Sequence, residues 1–180
     1  MRLDIYLKVR LSRNCSFKNL NFVTPKTAHD PCSYDGHVRG VEIEGKECKL
    51  QPLNICGYIQ TPKERKREIK EADGFLLVYS ITLRSSFEYL SELRKEIMRE
   101  RNGERFAVVL VGNGADLEEE RRVSRQEGEE MGKKWDVPFF ETSANCKLNV
   151  GEAFVELVRK IIGQREETTK KPKNQGCSLF

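Results

Sequence analysis

Several common features are missing from this sequence, and each absence excludes a class of protein. The six cysteines form no Cys-x-x-Cys pair and no cluster with histidine, and no secretory signal precedes them, so they are interpreted as reduced cytosolic thiols. The longest uncharged apolar stretches, such as residues 75–83, are far shorter than the ~20 residues that cross a bilayer. Any membrane contact must therefore come from an anchor.

A strong excess of charge of one sign is missing as well. Charged residues make up 33% of the sequence but the net charge is only +4, so both signs are interleaved and no nucleic-acid partner is predicted. With 180 residues and a hydrophobic content of 38%, the chain is long enough for one compact domain and hardly long enough for two. The prediction is one domain followed by a tail.

Two apolar runs, residues 75–79 and 106–111, do not alternate with polar residues. Such runs are typical of strands buried on both faces of a parallel sheet. Between them, Ser86 is a plausible helix N-cap, followed by apolar residues at helical spacing: Phe87, Leu90, Leu93 and Ile97. The pattern predicts a strand, a helix and a second strand.

The same pattern is repeated downstream. Ser124 and Glu127 form a capping box, which predicts a charged helix running towards Trp135, and a short strand at 137–141 follows. After Asn149, the spacing of four apolar residues fixes one buried helix face: Phe154, Leu157, Val158 and Ile161. Strands that alternate with helices predict an α/β fold with a mostly parallel sheet flanked by helices, whose ligands bind at the carboxyl ends of the strands.

Those strand ends carry two motifs, Asn-Gly-Ala-Asp at residues 113–116 and Thr-Ser-Ala-Asn at residues 142–145. With them the chain resembles the Ras family of small GTPases, which reads guanine with Asn-Lys-x-Asp after one strand and Thr-Ser-Ala-Lys after the next. The resemblance implies a single domain of the P-loop-GTPase fold with a guanine-nucleotide site. The residues predicted for that site are Asn113, Gly114, Asp116, Ser143, Ala144 and Asn145.

The resemblance also implies roles for these residues. Asp116 would accept the two adjacent N–H groups of guanine, Asn113 would tie the two loops together, and the backbone N–H of Ala144 would meet the guanine oxygen. Gly114 and Asn145 replace the two lysines of the family pattern, so base binding is expected to be weakened. The alternative is that Asn113 and Asp116 merely build a turn.

Upstream of Ala72 the resemblance weakens. Asp30-Pro31 looks like the start of the family's effector loop, and residues 38–53 look like a hairpin that turns at Gly45-Lys46. Residues 63–71 fall where the family has its second switch helix, and they are interpreted as a solvated helix of mixed charge.

The phosphate-binding loop of the family is missing. Members begin with a buried strand that runs into Gly-x-x-x-x-Gly-Lys-Ser/Thr, and nothing of this kind precedes Asp30. Residues 2–11 instead alternate between apolar and polar, which indicates a half-exposed strand that either lies at a sheet edge or is unrelated to the family's first strand. Residues 40–46 fit Gly-x-x-x-x-Gly-Lys, but they are acidic and alternate like a hairpin strand, so the match is interpreted as accidental. The predicted domain therefore covers residues 1–163, with 1–28 divergent.

The switch residues are altered too. Cys32 stands where the family has its magnesium-binding threonine, and a thiol is a poor ligand for a hard cation. In the family's Asp-x-x-Gly-Gln pattern, Asn54 replaces the carboxylate and Tyr58 replaces the glutamine that positions water. The sequence thus predicts no catalytic residue, no metal ligand, weak binding of GTP or GDP, no firm Mg²⁺ site, and little or no hydrolysis.

The C-terminal tail carries a lipidation signal. Cys177 begins the terminal Cys-Ser-Leu-Phe, a CaaX box whose phenylalanine favours a geranylgeranyl chain. One lipid gives only reversible attachment, so a second signal is expected from the flexible basic tether predicted at residues 164–180. The lysines that supply it are Lys170, Lys171 and Lys173. The predicted location is the cytoplasmic face of the plasma membrane or an endomembrane.

Two functions stay open. The retained Asn113, Asp116 and Ser143-Ala144 favour a membrane-anchored, guanine-nucleotide-binding protein of Ras-type signalling with effectors or regulators of that type, because a pure scaffold has no need of a guanine pocket. The missing phosphate loop favours a catalytically dead pseudo-GTPase that acts as a membrane-tethered protein-binding module.

Overall fold

The computed structural model describes the backbone of residues 5–11, 39–43 and 46–54, and residues 61–170. Its elements follow the chain as β1 (Ile5–Leu11), β2 (Arg39–Ile43), β3 (Lys46–Asn54), α1 (Pro62–Glu71), β4 (Gly74–Ser80), α2 (Arg84–Glu100), β5 (Ala107–Asn113), a 3₁₀ turn (Glu118–Glu120), α3 (Arg125–Trp135), β6 (Phe139–Thr142) and α4 (Val150–Lys170). From β3 onward, strands and helices alternate, which confirms the predicted α/β class.

The strands of the described residues form one sheet in the order β2-β3-β1-β4-β5-β6. β4, β5 and β6 pair in parallel, so their carboxyl ends lie together along what we term the carboxyl edge, and their first residues lie along the opposite, amino edge. β4 and β5 are the two apolar runs of the sequence, and nearly all of their residues are buried. The prediction of parallel strands buried on both faces is confirmed.

A hydrophobic core lies on each face of the sheet. Phe75, Leu77 and Tyr79 of β4 pack on one face against α1 and α2. Leu76 of β4 and Val109 of β5 pack on the other face against α4. Consecutive residues of β4 thus serve opposite faces, as the two-residue period of a strand requires.

The apolar face predicted for α4 is found, except that one predicted residue is less buried than its neighbour. Leu157, Val158 and Ile161 are buried against the sheet. Phe154 is only partly buried, and the smaller Ala153 takes a fully buried position beside it. The helical spacing therefore located the correct face, while the size of the side chain did not decide which residue lies deepest.

The start of α2 differs from the prediction. The helix begins at Arg84 with Leu83 as its N-cap, so the assignment of Ser86 as the cap is wrong. Ser86 lies in the first turn and is buried, and its hydroxyl accepts the Ser80 N–H at 3.0 Å and donates to the Leu83 carbonyl at 2.6 Å. Ser86 therefore links the end of β4 to the first turn of α2.

The capping box before α3 is confirmed. The Ser124 hydroxyl accepts the Glu127 N–H at 3.3 Å, and the Glu127 carboxylate accepts the Ser124 N–H at 2.9 Å. β6 begins at Phe139 rather than at residue 137, because the N–H of Val137 still bonds to the Gly132 carbonyl of α3 at 3.0 Å.

β1 lies inside the sheet, between β3 and β4, and runs antiparallel to both. The alternative that placed the opening strand at a sheet edge is therefore wrong. The register pairs Ile5 with Val78 and Val9 with Gly74, the first residue of β4. The chain consequently leaves β1 at the amino edge of the sheet.

The predicted hairpin is formed by β2 and β3, which pair antiparallel. Ile43 pairs with Lys46, so Lys46 belongs to β3 and not to the turn that was predicted at Gly45-Lys46. Residues 40–46 thus run through a hairpin and not from a strand into a helix. A phosphate-binding loop requires a strand followed by a helix, which agrees with the interpretation of this match as accidental.

α4 continues beyond the predicted domain boundary at residue 163 and ends at Lys170. Residues 164–170, which the sequence analysis assigned to the tether, are thus helical. Arg165 pairs with Asp73 at 2.8 Å, and this contact holds the extension against the start of β4.

Several predicted functional residues lie outside the described part of the chain: Asp30, Pro31, Cys32, Tyr58, Lys171, Lys173 and Cys177. Lys170 is the last residue of α4. None of the described helices combines the length and the apolar character that a membrane span requires.

Gly128 and Gly163 offer a matched test of the packing. A Cβ at Gly128 in α3 would lie 2.4 Å from Cζ of Phe139, whereas a Cβ at Gly163 in α4 would meet nothing within 4 Å. We expect Gly128→Ala to lower the free energy of unfolding by about 1–3 kcal/mol through overpacking. Gly163→Ala should raise it by roughly 0.5–1 kcal/mol, because alanine favours a helix. Urea unfolding followed by circular dichroism measures both, and effects of the same sign would contradict the packing.

Candidate functional site

The candidate site lies at the carboxyl edge, where one loop follows β5 and another follows β6. The register aligns Ser80, Asn113 and Thr142 across the three parallel strands. The β5 loop (residues 113–117) and the β6 loop (residues 142–149) therefore begin side by side. Both sequence motifs fall in these loops.

Hydrogen bonds of the main chain and of side chains join the two loops. The Thr142 carbonyl accepts the N–H of Gly114 at 2.9 Å and that of Ala115 at 3.0 Å. The Thr142 hydroxyl donates to Oδ1 of Asn113 at 3.2 Å. Two main-chain bonds thus connect the start of the two loops, and the side chains of Asn113 and Thr142 add a further bond.

Gly114 gives the β5 loop a backbone conformation that suits glycine. Its φ is +96°, in the region that residues with a Cβ rarely adopt. A Cβ at this position would find ordinary contacts, the nearest 3.7 Å away at Ile81, so the restriction comes from the backbone and not from crowding. A lysine, which the family pattern has at this position, would be strained here.

Asp116 is exposed in the β5 loop and meets the β6 loop through its carboxylate. Oδ2 accepts Nδ2 of Asn145 at 2.8 Å. Hydrogen bonds from Ser143 and from Asn145 lower the pKa of the Asp116 carboxyl. Asp116 is therefore ionised at neutral pH, and its carboxylate acts only as an acceptor.

The β6 loop is closed by its own hydrogen bonds. Ser143 and Leu148 exchange main-chain bonds at 3.0 and 3.2 Å, and the Ser143 hydroxyl accepts the Cys146 N–H at 3.1 Å. Ala144 is exposed, and within the described chain its N–H donates to no protein acceptor. That N–H is therefore a main-chain donor that the loop leaves available to a ligand.

A partly buried ion pair lies beside the start of the β6 loop. The sequence did not predict it. Arg121 donates Nη1 and Nη2 to the two carboxylate oxygens of Glu141 at 2.7 and 3.1 Å, and the two side chains are 16% and 8% exposed. Arg121 also pairs with Glu118 at 2.7 Å. Contacts with Glu118 and with Glu141 raise the pKa of Arg121, so its charge is permanent. No local pattern links Arg121 to a partner 20 residues away.

A second feature of the chain is the fixed position of α1, the helix that corresponds by resemblance to the second switch helix. Arg65 donates Nε and Nη2 to the two oxygens of Glu96 in α2, both at 2.7 Å. Lys66 pairs with Glu100 at 2.9 Å. Arg101, just after α2, donates to two main-chain carbonyls at the end of α1 at 2.7 and 3.2 Å. The mixed charges of α1 therefore do more than face solvent, because several of them hold the helix to α2.

Parallel strands with helices on both faces, and two joined loops at the carboxyl edge, define a P-loop-GTPase-like α/β domain. A model of the Ras family matches residues 15–163. The match covers most of the 180 residues, and the chain belongs to the Ras family as a small GTPase-like protein. Members of this family bind GTP and GDP in general. β1, which ends at Leu11, lies before the matched residues.

The described residues fit the base of a guanine nucleotide better than its phosphates. At the base, the ionised Asp116 and the free N–H of Ala144 occupy neighbouring loops. For the phosphates, the family uses a loop that follows a strand ending at the carboxyl edge, whereas β1 ends at the amino edge. Asn54, the position that the sequence predicts to lack the family's carboxylate, is the last residue of β3. No three His, Cys, Asp or Glu side chains of the described residues are grouped to hold a metal ion.

The ion pair beneath the β6 loop can be tested against an exposed pair of the same chemistry. We expect Arg121→Ala to lower the free energy of unfolding by about 2–4 kcal/mol, because it leaves the Glu141 carboxylate buried without its partner. Arg125→Ala breaks the exposed pair with Glu129, whose side chains are 69% and 43% exposed. Its cost should stay below about 0.5 kcal/mol. Chemical denaturation measures both, and equal costs would show that Arg121 does not support the loop.

Proposed function

We propose that this Ras-family chain binds the guanine base of GTP or GDP weakly at the carboxyl edge and hydrolyses GTP slowly or not at all. The observation that supports the proposal is the set of hydrogen bonds between the β5 loop, which carries Asp116, and the β6 loop, which carries Ala144. Guanine offers adjacent N–H donors at N1 and at its exocyclic amine, with an acceptor oxygen next to N1. Adenine has no such pair of donors, so the site would select guanine.

The expected affinity is low. Three or four contacts to the base at roughly 1.5–2 kcal/mol each would total about 4–8 kcal/mol. This free energy corresponds to dissociation constants from about millimolar to about micromolar. Tighter binding would need a site for the phosphates, and the direction of β1 argues against one in the family's usual place.

Slow hydrolysis follows from the same features. Phosphoryl transfer depends on positioning and on neutralisation of charge by a phosphate loop and magnesium. The sequence has no Gly-x-x-x-x-Gly-Lys-Ser/Thr before Asp30, and Cys32, Asn54 and Tyr58 stand where the family has its magnesium ligands and its glutamine. Neither Mg²⁺ nor a particular phosphate chain is therefore expected to improve binding greatly.

Attachment to a membrane is the second part of the proposal. The CaaX cysteine Cys177 would carry a prenyl chain, and Lys170, Lys171 and Lys173 would add attraction to an anionic leaflet at about 1 kcal/mol each. We propose the cytoplasmic face of the plasma membrane or of an endomembrane as the location.

A second candidate function is a membrane-tethered module that binds Ras-type effectors or regulators without regard to nucleotide. The contacts that hold α1 to α2, above all Arg65 with Glu96, favour it. A helix fixed in this way would present one surface whether or not a nucleotide is bound.

Calorimetric titration of the full chain with guanosine, GDP and GTP, with and without Mg²⁺, tests the guanine proposal. We expect the three ligands to bind within about threefold of one another, because the base supplies the contacts, and Asp116→Ala to weaken each by at least about tenfold. Glu119→Ala is the matched control, since it removes the same charge from the exposed 3₁₀ turn. Magnesium-dependent GTP binding much tighter than micromolar would contradict the base-only site. A folded chain that binds no guanine ligand would leave the module as the function.

Fractionation of cells that express the full chain tests the membrane proposal. Cys177→Ser should move the protein from the membrane to the soluble fraction, because the prenyl chain has no other acceptor at the C-terminus. Changing Lys170, Lys171 and Lys173 to alanine should release only part of the protein. An unchanged membrane fraction for Cys177→Ser would reject the lipid anchor.

A further inference from the structure

The carboxylate expected to read guanine already holds a donor from its own chain. Nδ2 of Asn145 lies 2.8 Å from Oδ2 of Asp116. The amide of Asn145 and the exocyclic amine of guanine are both N–H donors on trigonal nitrogen, so they suit the same acceptor. Asn145 stands where the family pattern has a lysine, which means that this contact belongs to the particular sequence of the chain.

We propose that Asn145 determines the guanine affinity of the site by competing with the base for the carboxylate of Asp116. The inference rests on the proposed guanine binding at this site. In the unliganded protein the Asn145 amide satisfies Oδ2 of Asp116. A ligand binds when its own N–H donors replace that amide.

Hydrogen bonds within the β6 loop fix the backbone that carries the Asn145 side chain. The bonds between Ser143 and Leu148, and from the Cys146 N–H to the Ser143 hydroxyl, bracket residue 145 on both sides. Asn145 itself is exposed, so its side chain can rotate away into solvent. Displacement therefore requires rotation of one side chain and no rearrangement of the loop.

The competition sharpens selectivity as well as lowering affinity. To bind, a base must form hydrogen bonds with Asp116 that are at least as favourable as the Asn145 bond that it replaces. Guanine can do so with two adjacent donors, while a base that presents an acceptor to the carboxylate cannot.

A double-mutant cycle on GDP binding tests the inference in the full chain. Asn145→Ala should tighten GDP binding by about 5- to 20-fold in calorimetry, because no amide then competes for Asp116. In the Asp116→Ala background the same substitution should change binding less than about twofold. Cys146→Ala is the matched control, since Cys146 is the exposed neighbour whose hydrogen bond in the loop comes from its main-chain N–H. It should also stay within about twofold of the unchanged chain.

The outcomes separate this inference from the function on which it rests. If Asn145→Ala binds GDP no more tightly than the unchanged chain while Asp116→Ala abolishes binding, the competition is overturned and the guanine site stands. If no variant binds GDP at millimolar concentration, although circular dichroism shows each to be folded, both the site and the competition are rejected. If Asn145→Ala is the only variant that binds GDP, the guanine site and the competition are both supported. In ¹⁵N-edited NMR, the side-chain amide signals of Asn145 should shift in Asp116→Ala, and unshifted signals would show that the two side chains do not interact.

Discussion

The carbonyl oxygen of Thr142 accepts two main-chain N–H groups from the β5 loop, and the arrangement of the candidate site depends on these bonds. They form only because β5 and β6 are parallel and in register, so that Asn113 lies opposite Thr142. The apolar runs that build β4 and β5 thus decide, through the sheet, where Asp116 and Ala144 come to lie. Buried hydrophobic residues therefore determine where the polar residues of the site lie.

The direction of β1 is the second constraint on function. A strand antiparallel to β3 and β4 satisfies the hydrogen bonds in the middle of the sheet as well as a parallel strand would. It cannot, however, lead the chain to the carboxyl edge. The interior of the sheet is therefore complete, while the connection from strand to phosphate loop on which the family relies is not made by β1. In this chain the sheet is fully hydrogen-bonded in its interior although β1 does not lead to a phosphate loop.

The features that the sequence predicted correctly are local or repetitive. Unbroken apolar runs identified β4 and β5, and the pair Ser124 and Glu127 identified the start of α3, because each pattern is contained in a few neighbouring residues. The errors and omissions at these sites involve contacts between different elements of the fold. Ser86 bonds to Ser80 in β4 instead of capping α2, and Arg121 meets Glu141 only after the sheet has formed. The direction of β1 depends on pairing with two strands far along the chain, and alternation of residues carries no information about direction.

The backbone of Gly114 also bears on how the site could change with time. A φ of +96° suits glycine, and a residue with a side chain pays roughly 1–3 kcal/mol of strain for such a conformation. A substitution of Gly114 by the lysine of the family pattern would therefore introduce backbone strain that glycine avoids. The loop must first recover a conformation that accepts a side chain before the lysine can contribute to binding. The backbone at position 114 therefore favours keeping the glycine over any single substitution that adds a side chain.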